Sequence, residues 1–152
     1  MPSFKTVRRV PFTPREMFDV VADVESYPAF LPLCEGLTVH ERRAGERGVE
    51  LAATMTVGYK AITERFKTHV TLDEAARIIR VRHLDGPFTH LESEWRFAPA
   101  GAGCEVHFAI DYAFRSTMLS LIVGAAFDKA VRSYTEAFEQ RARMLYGSRA
   151  GA

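Results

Sequence analysis

Between Leu51 and Phe114 apolar side chains recur at every second position, and from about Ser116 to Tyr146 the period changes to 3.6. Period two belongs to strands with one buried face, and period 3.6 to a helix with one buried stripe. Leu51, Ala53, Met55 and Val57 share one strand face. Phe66, Val70 and Leu72 share another, opposite Arg65, Lys67 and His69. Leu91, Trp95 and Phe97 oppose Glu92, Glu94 and Arg96, and Val106, Phe108, Ile110, Tyr112 and Phe114 oppose Glu105, His107 and Asp111. Turn chemistry separates the runs at Gly45–Gly48, Gly58, Asp73-Glu74, Asp85-Gly86-Pro87 and Gly101-Ala102-Gly103. Such short spacers imply hairpins and an antiparallel sheet.

The ends complete the plan. Ser3 to Val10 reads as a strand, and Thr13-Pro14-Arg15-Glu16 opens a helix. Thr13 supplies the cap, Pro14 suits the first helical position, and Glu16 completes a capping box. Met17, Phe18, Val20, Val21 and Val24 form its apolar stripe. A short second turn is expected at Tyr27 to Leu31. The last helix, uninterrupted by proline, would run ~30 residues and ~45 Å. Ile122, Ala126, Ala130, Val131, Tyr134, Phe138, Ala142 and Leu145 make its stripe, and Gly124 offers a bend. Its first half, TMLSLIVGAAF, is apolar nearly all round. That half is expected either buried under the first helices or against a membrane.

The order is strand, two short helices, about six hairpin strands, then a long helix. This is an α+β architecture in which a curved antiparallel sheet of about seven strands wraps the terminal helix. A curved sheet and a helix seldom close on each other completely, and the gap is a natural ligand cavity. Residues 1–147 are expected to form one domain, and 148–152 a disordered tail. With 152 residues and 26% charged side chains, the chain has the size and balance of one globular unit. The formal net charge of +1 gives no overall pull towards DNA. Cys34 and Cys104 are far apart and form no CxxC pair, which fits a reducing compartment. MPSFKTVRRVPF lacks the apolar run of a signal peptide, and no segment reaches the ~20 apolar residues of a membrane span.

The stretch Tyr27-Pro28-Ala29-Phe30-Leu31-Pro32-Leu33-Cys34 is apolar, yet its prolines exclude an ordinary helix. A rigid, irregular, greasy segment suits a cavity lip better than a core element. YPAFLPLC, together with DGPFTHLESEWRF at Asp85 to Phe97, resembles the coenzyme Q-binding protein family, which also contains the bacterial ribosome-association toxin proteins. The resemblance spans about Phe4 to Leu145 and places the chain in the START-like, polyketide cyclase-like superfamily. It implies a helix-grip fold whose cavity holds ubiquinone or a related polyprenyl lipid. Such members are non-catalytic and support respiratory electron transport. The same resemblance admits a ribosome-associated protein that blocks subunit joining, and the wider superfamily admits a cyclase or dehydrase. It implies no cofactor beyond the bound quinone and a cytoplasmic place, peripheral on the inner membrane.

Tyr27, Phe30, Leu31, Met55, Phe66, Trp95, Phe97, Phe108, Tyr112, Phe127, Val131 and Tyr134 are the expected ligand-binding residues. Glu64 falls on the apolar face of its strand beside Ile62, Phe66, Thr68 and Val70. It either meets a polar head group or is turned away by a bulge or paired with Arg80 or Arg82. None of the five histidines, His40, His69, His83, His90 and His107, has metal-ligand spacing, so no metal site is expected. Arg77, Arg80, Arg82 and His83 form a basic cluster: a solvated strand face, or a site for an anionic membrane surface or ribosomal RNA. No P-loop, dinucleotide fingerprint or nucleophile elbow is present in the sequence.

Overall fold

A computed structural model describes residues 2–149. Strand β1 (Ser3–Val10) leads through Thr13 into helix α1 (Pro14–Ala22) and a 3-10 helix at Val24–Ala29. Six strands follow: β2 (Cys34–Gly45), β3 (Gly48–Tyr59), β4 (Ile62–Asp73), β5 (Ile78–Asp85), β6 (Phe88–Ala100) and β7 (Gly103–Phe114). Helices α2 (Thr117–Arg132) and α3 (Tyr134–Tyr146) end the described chain. The seven strands form one antiparallel sheet in the order β1-β7-β6-β5-β4-β3-β2. This is the helix-grip arrangement that the resemblance implies.

The capping box forms as its spacing requires. The Glu16 amide donates to Thr13 Oγ1 at 3.1 Å, and the Thr13 amide to Glu16 Oε1 at 2.9 Å. Met17, Phe18, Val20 and Val21 are all buried by α1. Register shifts at Cys34/Gly36, Val39/Glu41, Lys67/Thr68 and Phe88/His90 add the local twist that curls the sheet. The inward face carries Leu51, Phe66, Val70, Ile79, Leu91, Trp95, Phe97, Phe108, Ile110 and Tyr112 in one core with Phe127, Val131 and Phe138 of the terminal helices.

Two expectations about punctuation are corrected. Gly58 is not a turn: it lies inside β3 opposite Thr63, and the bend comes at Lys60-Ala61, with Lys60 at φ 55°. The terminal helix breaks at Ser133, not at Gly124. The Ser133 hydroxyl donates back to the Ala130 carbonyl at 2.8 Å, competing with the helical ladder. The expected tail at 148–152 falls largely on residues 150–152, outside the described residues. Arg149, within them, grips Glu16 with two bonds of 2.5 and 2.8 Å and lies over the Phe12 ring.

The all-apolar start of the terminal helix is not buried under the first helices. Met118 is 71%, Leu121 82% and Ile122 49% exposed, and α2 buries only Phe127, Ala130 and Val131. Helix α1 packs instead beside α3. Among the described residues, no helix is long and apolar enough to cross a membrane.

Candidate functional site: a divided apolar cavity

The sheet and terminal helices leave a gap between them. An inner chamber of about 90 Å³ lies between β2–β7, the Val24–Leu31 segment and the two terminal helices. An outer chamber of about 30 Å³ is bounded by Leu33, Val57, Tyr59, Ile62, Pro87, Phe114 and Val123, with Glu64 in its wall. Both are lined by Phe66, from β4, and Phe127, from α2, so these two rings stand between them.

Of the sequence-predicted residues, Tyr27, Leu31, Met55, Phe66, Trp95, Phe108, Phe127 and Tyr134 line the inner chamber. Phe30, Phe97, Tyr112 and Val131 do not line it, each for a packing reason. Phe30 turns its ring edge to Phe138 at 5.4 Å, under the Arg141 guanidinium. Phe97 wedges against Phe18 at 6.1 Å, beneath α1. Tyr112 is held edge-on to Phe127 at 4.8 Å. Val131 is fully buried in the helix–sheet contact. Sequence reasoning missed Thr68, Ser93 and Ile79 in the same wall. The alternation of Thr68 with Phe66 and Val70, of Ser93 with Trp95 and of Ile79 with Val81 was the available signal.

The short turn expected at Tyr27 to Leu31 lies earlier, as the 3-10 helix Val24–Ala29 with Pro28 inside it. The Tyr27 hydroxyl donates to the Val21 carbonyl, tying the 3-10 helix to α1. Burial pushes the Tyr27 phenol far above its ordinary value. Tyr27 meets Phe138 edge-on at 5.3 Å. After Pro32, Leu33 adopts φ 66°, a left-handed conformation that costs a branched residue about 1–2 kcal/mol. Its carbonyl accepts from the Gly58 amide at 3.0 Å, and its side chain joins the outer chamber. Burial raises the Cys34 thiol to about 11 and the Cys104 thiol to about 12. Both cysteines are free and buried.

Glu64 is not bulged away. The β3–β4 register runs unbroken from Tyr59↔Ile62 to Val49↔Leu72, with Glu64 opposite Val57 on the inward face. Arg80 and Arg82 stand on the other side of the sheet, where Arg80 pairs with Glu94 at 3.2 Å. The basic cluster also divides. Arg77 donates to the Glu74 carbonyl, and Arg82 lies opposite Glu92. His83 faces inward against Phe88, 5.5 Å between ring centroids, and burial lowers its pKa. The outer face of β4–β6 is therefore mixed in charge, with Glu92, Glu94 and Asp111 among the arginines. Among the described residues no group of three His, Cys, Asp or Glu side chains comes together for a metal.

Comparison with known proteins agrees with this geometry. The family model for polyketide cyclase / dehydrase and lipid transport matches residues 10–139. The ribosome association toxin RatA of Rickettsia prowazekii is 31% identical over 146 residues, covering 94% of this chain and 97% of that protein. The mitochondrial coenzyme Q-binding protein COQ10 homolog B of Xenopus laevis is 32% identical over 141 residues, covering 90% of this chain and 56% of that one. The Zhui aromatase/cyclase from a Streptomyces species has the same fold, with a TM-score of 0.77 at 19% identity, covering 95% of each chain.

Proposed function

Since the chain belongs to the polyketide cyclase / dehydrase and lipid transport family, we propose that it binds and delivers a hydrophobic small molecule, a polyprenyl quinone such as ubiquinone, without transforming it. The observation that carries this reading is the divided apolar interior beside the exposed apolar half of α2. At about 90 Å³ the inner chamber is smaller than the ~150 Å³ cavity that takes up benzene. Uptake of a substituted ring therefore requires the wall to yield. Helix α2 is the element suited to yield, because its first half buries little.

The energetics suit a carrier. Each CH₂ taken from water is worth about 0.8 kcal/mol, so a long tail does not leave a membrane for water. Transfer from lipid to an apolar chamber is nearly neutral and can be reversed. A tail too long for the chambers would continue past Val123 along Met118, Leu121 and Ile122, the side on which a membrane surface would sit. Against a chemical step, the inner wall carries hydroxyls but no acid–base pair, and Glu64 is the sole carboxylate in either wall among the described residues. The test is calorimetric titration with a short-chain ubiquinone. Saturable binding near one equivalent supports the reading, and absence of binding overturns it.

A second reading, a ribosome-associated protein, is favoured by one observation: the similarity to RatA extends over nearly all of both chains. The mixed charge of the β4–β6 outer face weakens an RNA-binding role there. Sedimentation with isolated ribosomal subunits decides it: stoichiometric co-sedimentation that falls with salt would establish this reading.

A further inference from the structure

The two chambers differ in chemistry. The outer wall is hydrocarbon apart from Tyr59 and Glu64. The inner wall contains Thr68 from β4, Ser93 from β6 and Tyr134 from the start of α3. Thr68 and Ser93 are on the inward faces of their strands, in register with Ala53 and with Ile110, respectively. The break at Ser133 restarts the helix with Tyr134, whose ring lies 6.3 Å from Phe108. These three side chains line the inner chamber, whereas the neighbouring Tyr27 hydroxyl is engaged by Val21. A hydroxyl in an apolar wall loses its water partners, so an unpaired one favours an occupant that can accept from it.

Resting on the reading of this interior as a quinone site, we propose that the ligand enters ring first: its carbonyl-bearing head lies in the inner chamber against Thr68, Ser93 and Tyr134, and its tail leaves through the outer chamber past Phe66 and Phe127. Hydroxyls donate, and quinone carbonyls accept, so donor and acceptor match. Burial pushes the Tyr134 phenol up, which keeps it a donor throughout the physiological range. The opposite orientation would place the head beside Glu64. A carboxylate only accepts, so it has nothing to offer a carbonyl. It would also put an aliphatic chain against three hydroxyls. The selectivity for a ring over a plain prenyl chain then resides in the deep wall.

The single tryptophan of the chain, Trp95, lines the inner chamber and not the outer one. A quinone ring quenches indole emission on contact, and a prenyl chain does not. The test titrates the full chain with ubiquinone-1 and with a ringless isoprenoid hydrocarbon, following heat and Trp95 emission together, in the wild type, S93A, T68V and Y134F. The expected result is saturable ubiquinone-1 binding that removes most of the emission. The three substitutions are each expected to weaken ubiquinone-1 several-fold and leave the isoprenoid hydrocarbon, which has no acceptor, unchanged. Ubiquinone-1 that binds by heat with Trp95 emission intact would overturn the ring-first orientation alone. So would substitutions that weaken both ligands equally. Absence of any heat with ubiquinone-1 would overturn the quinone reading of the interior, and the orientation with it.

Discussion

The indole of Trp95 stacks on the ring of Phe108, centroids 4.1 Å apart and planes 22° from parallel, directly across the β6–β7 pair. Phe138 of α3 meets the same indole edge-on at 5.1 Å, so one residue joins the sheet to the terminal helix at the cavity wall. Trp95→Ala should cost about 3–5 kcal/mol, because it removes a buried ring and enlarges a gap that is already present. Urea unfolding followed by circular dichroism measures this without needing the lost fluorophore. A change under ~1 kcal/mol would mean that the stack does not hold the wall.

Glu16 completes the cap of α1 by accepting from the Thr13 amide, and it is gripped by Arg149. Its carboxyl is held below its ordinary 4.5, chiefly by the hydrogen bond from Arg149. A carboxylate with a depressed folded pKa contributes stability that is fully present above the unfolded value and lost as pH falls through the folded one. The difference in stability between wild type and Glu16→Gln should therefore be largest near neutrality and shrink below about pH 4. Urea midpoints at several pH values read it directly.

Glu139 is a nearly buried carboxylate on α3 that accepts from Arg8 of β1 at 2.6 Å and from Arg143 at 2.8 Å. Both arginine side chains are 41% exposed, so solvent screens much of the charge attraction. Glu139→Ala should cost about 1–3 kcal/mol, mainly through the lost charge-assisted hydrogen bonds. A double substitution with Arg8→Ala should be less destabilising than the sum of the two single changes.

Leu121 and Ile122 point into solvent from a helix whose opposite side closes the cavity. Replacing both by Glu should leave the thermal midpoint within a degree or two, since exposed positions contribute little. Transfer of quinone between vesicles should fall at least several-fold, because the apolar face no longer meets lipid. Unchanged transfer would detach α2 from delivery.

The strands, all of the turns except that between β3 and β4, and the capping box were legible because each rests on local pattern: alternation, Gly–Pro punctuation and a Thr-x-x-Glu spacing. The break at Ser133 was not, since serine is tolerated in helices and only its back-bond to Ala130 reveals the interruption. The exposure of Met118 and Leu121 was left open between two alternatives for a related reason. A helix segment apolar all round gives no sign of which side its neighbours leave bare. Within the site, alternation placed Trp95, Phe108 and Phe66 on the wall. It could not separate them from Phe97 and Tyr112, which share the same faces but meet α1 and Phe127 instead of open space. Thr68 was placed on the apolar face but not taken as a site residue, and Ser93 was passed over, because small polar residues on such a face read as interruptions.

Ala53 is a fully buried wall residue of the inner chamber, and Ala53→Leu would fill much of that space with hydrocarbon. The most direct measurement is mass spectrometry of organic extracts from the wild type and Ala53→Leu, each purified from the native host and matched for folded protein. The expected result is a polyprenyl lipid near one equivalent in the wild type and strong depletion in the variant. A wild-type extract free of such lipid, or equal amounts in both proteins, would contradict a cargo held between the sheet and the terminal helices.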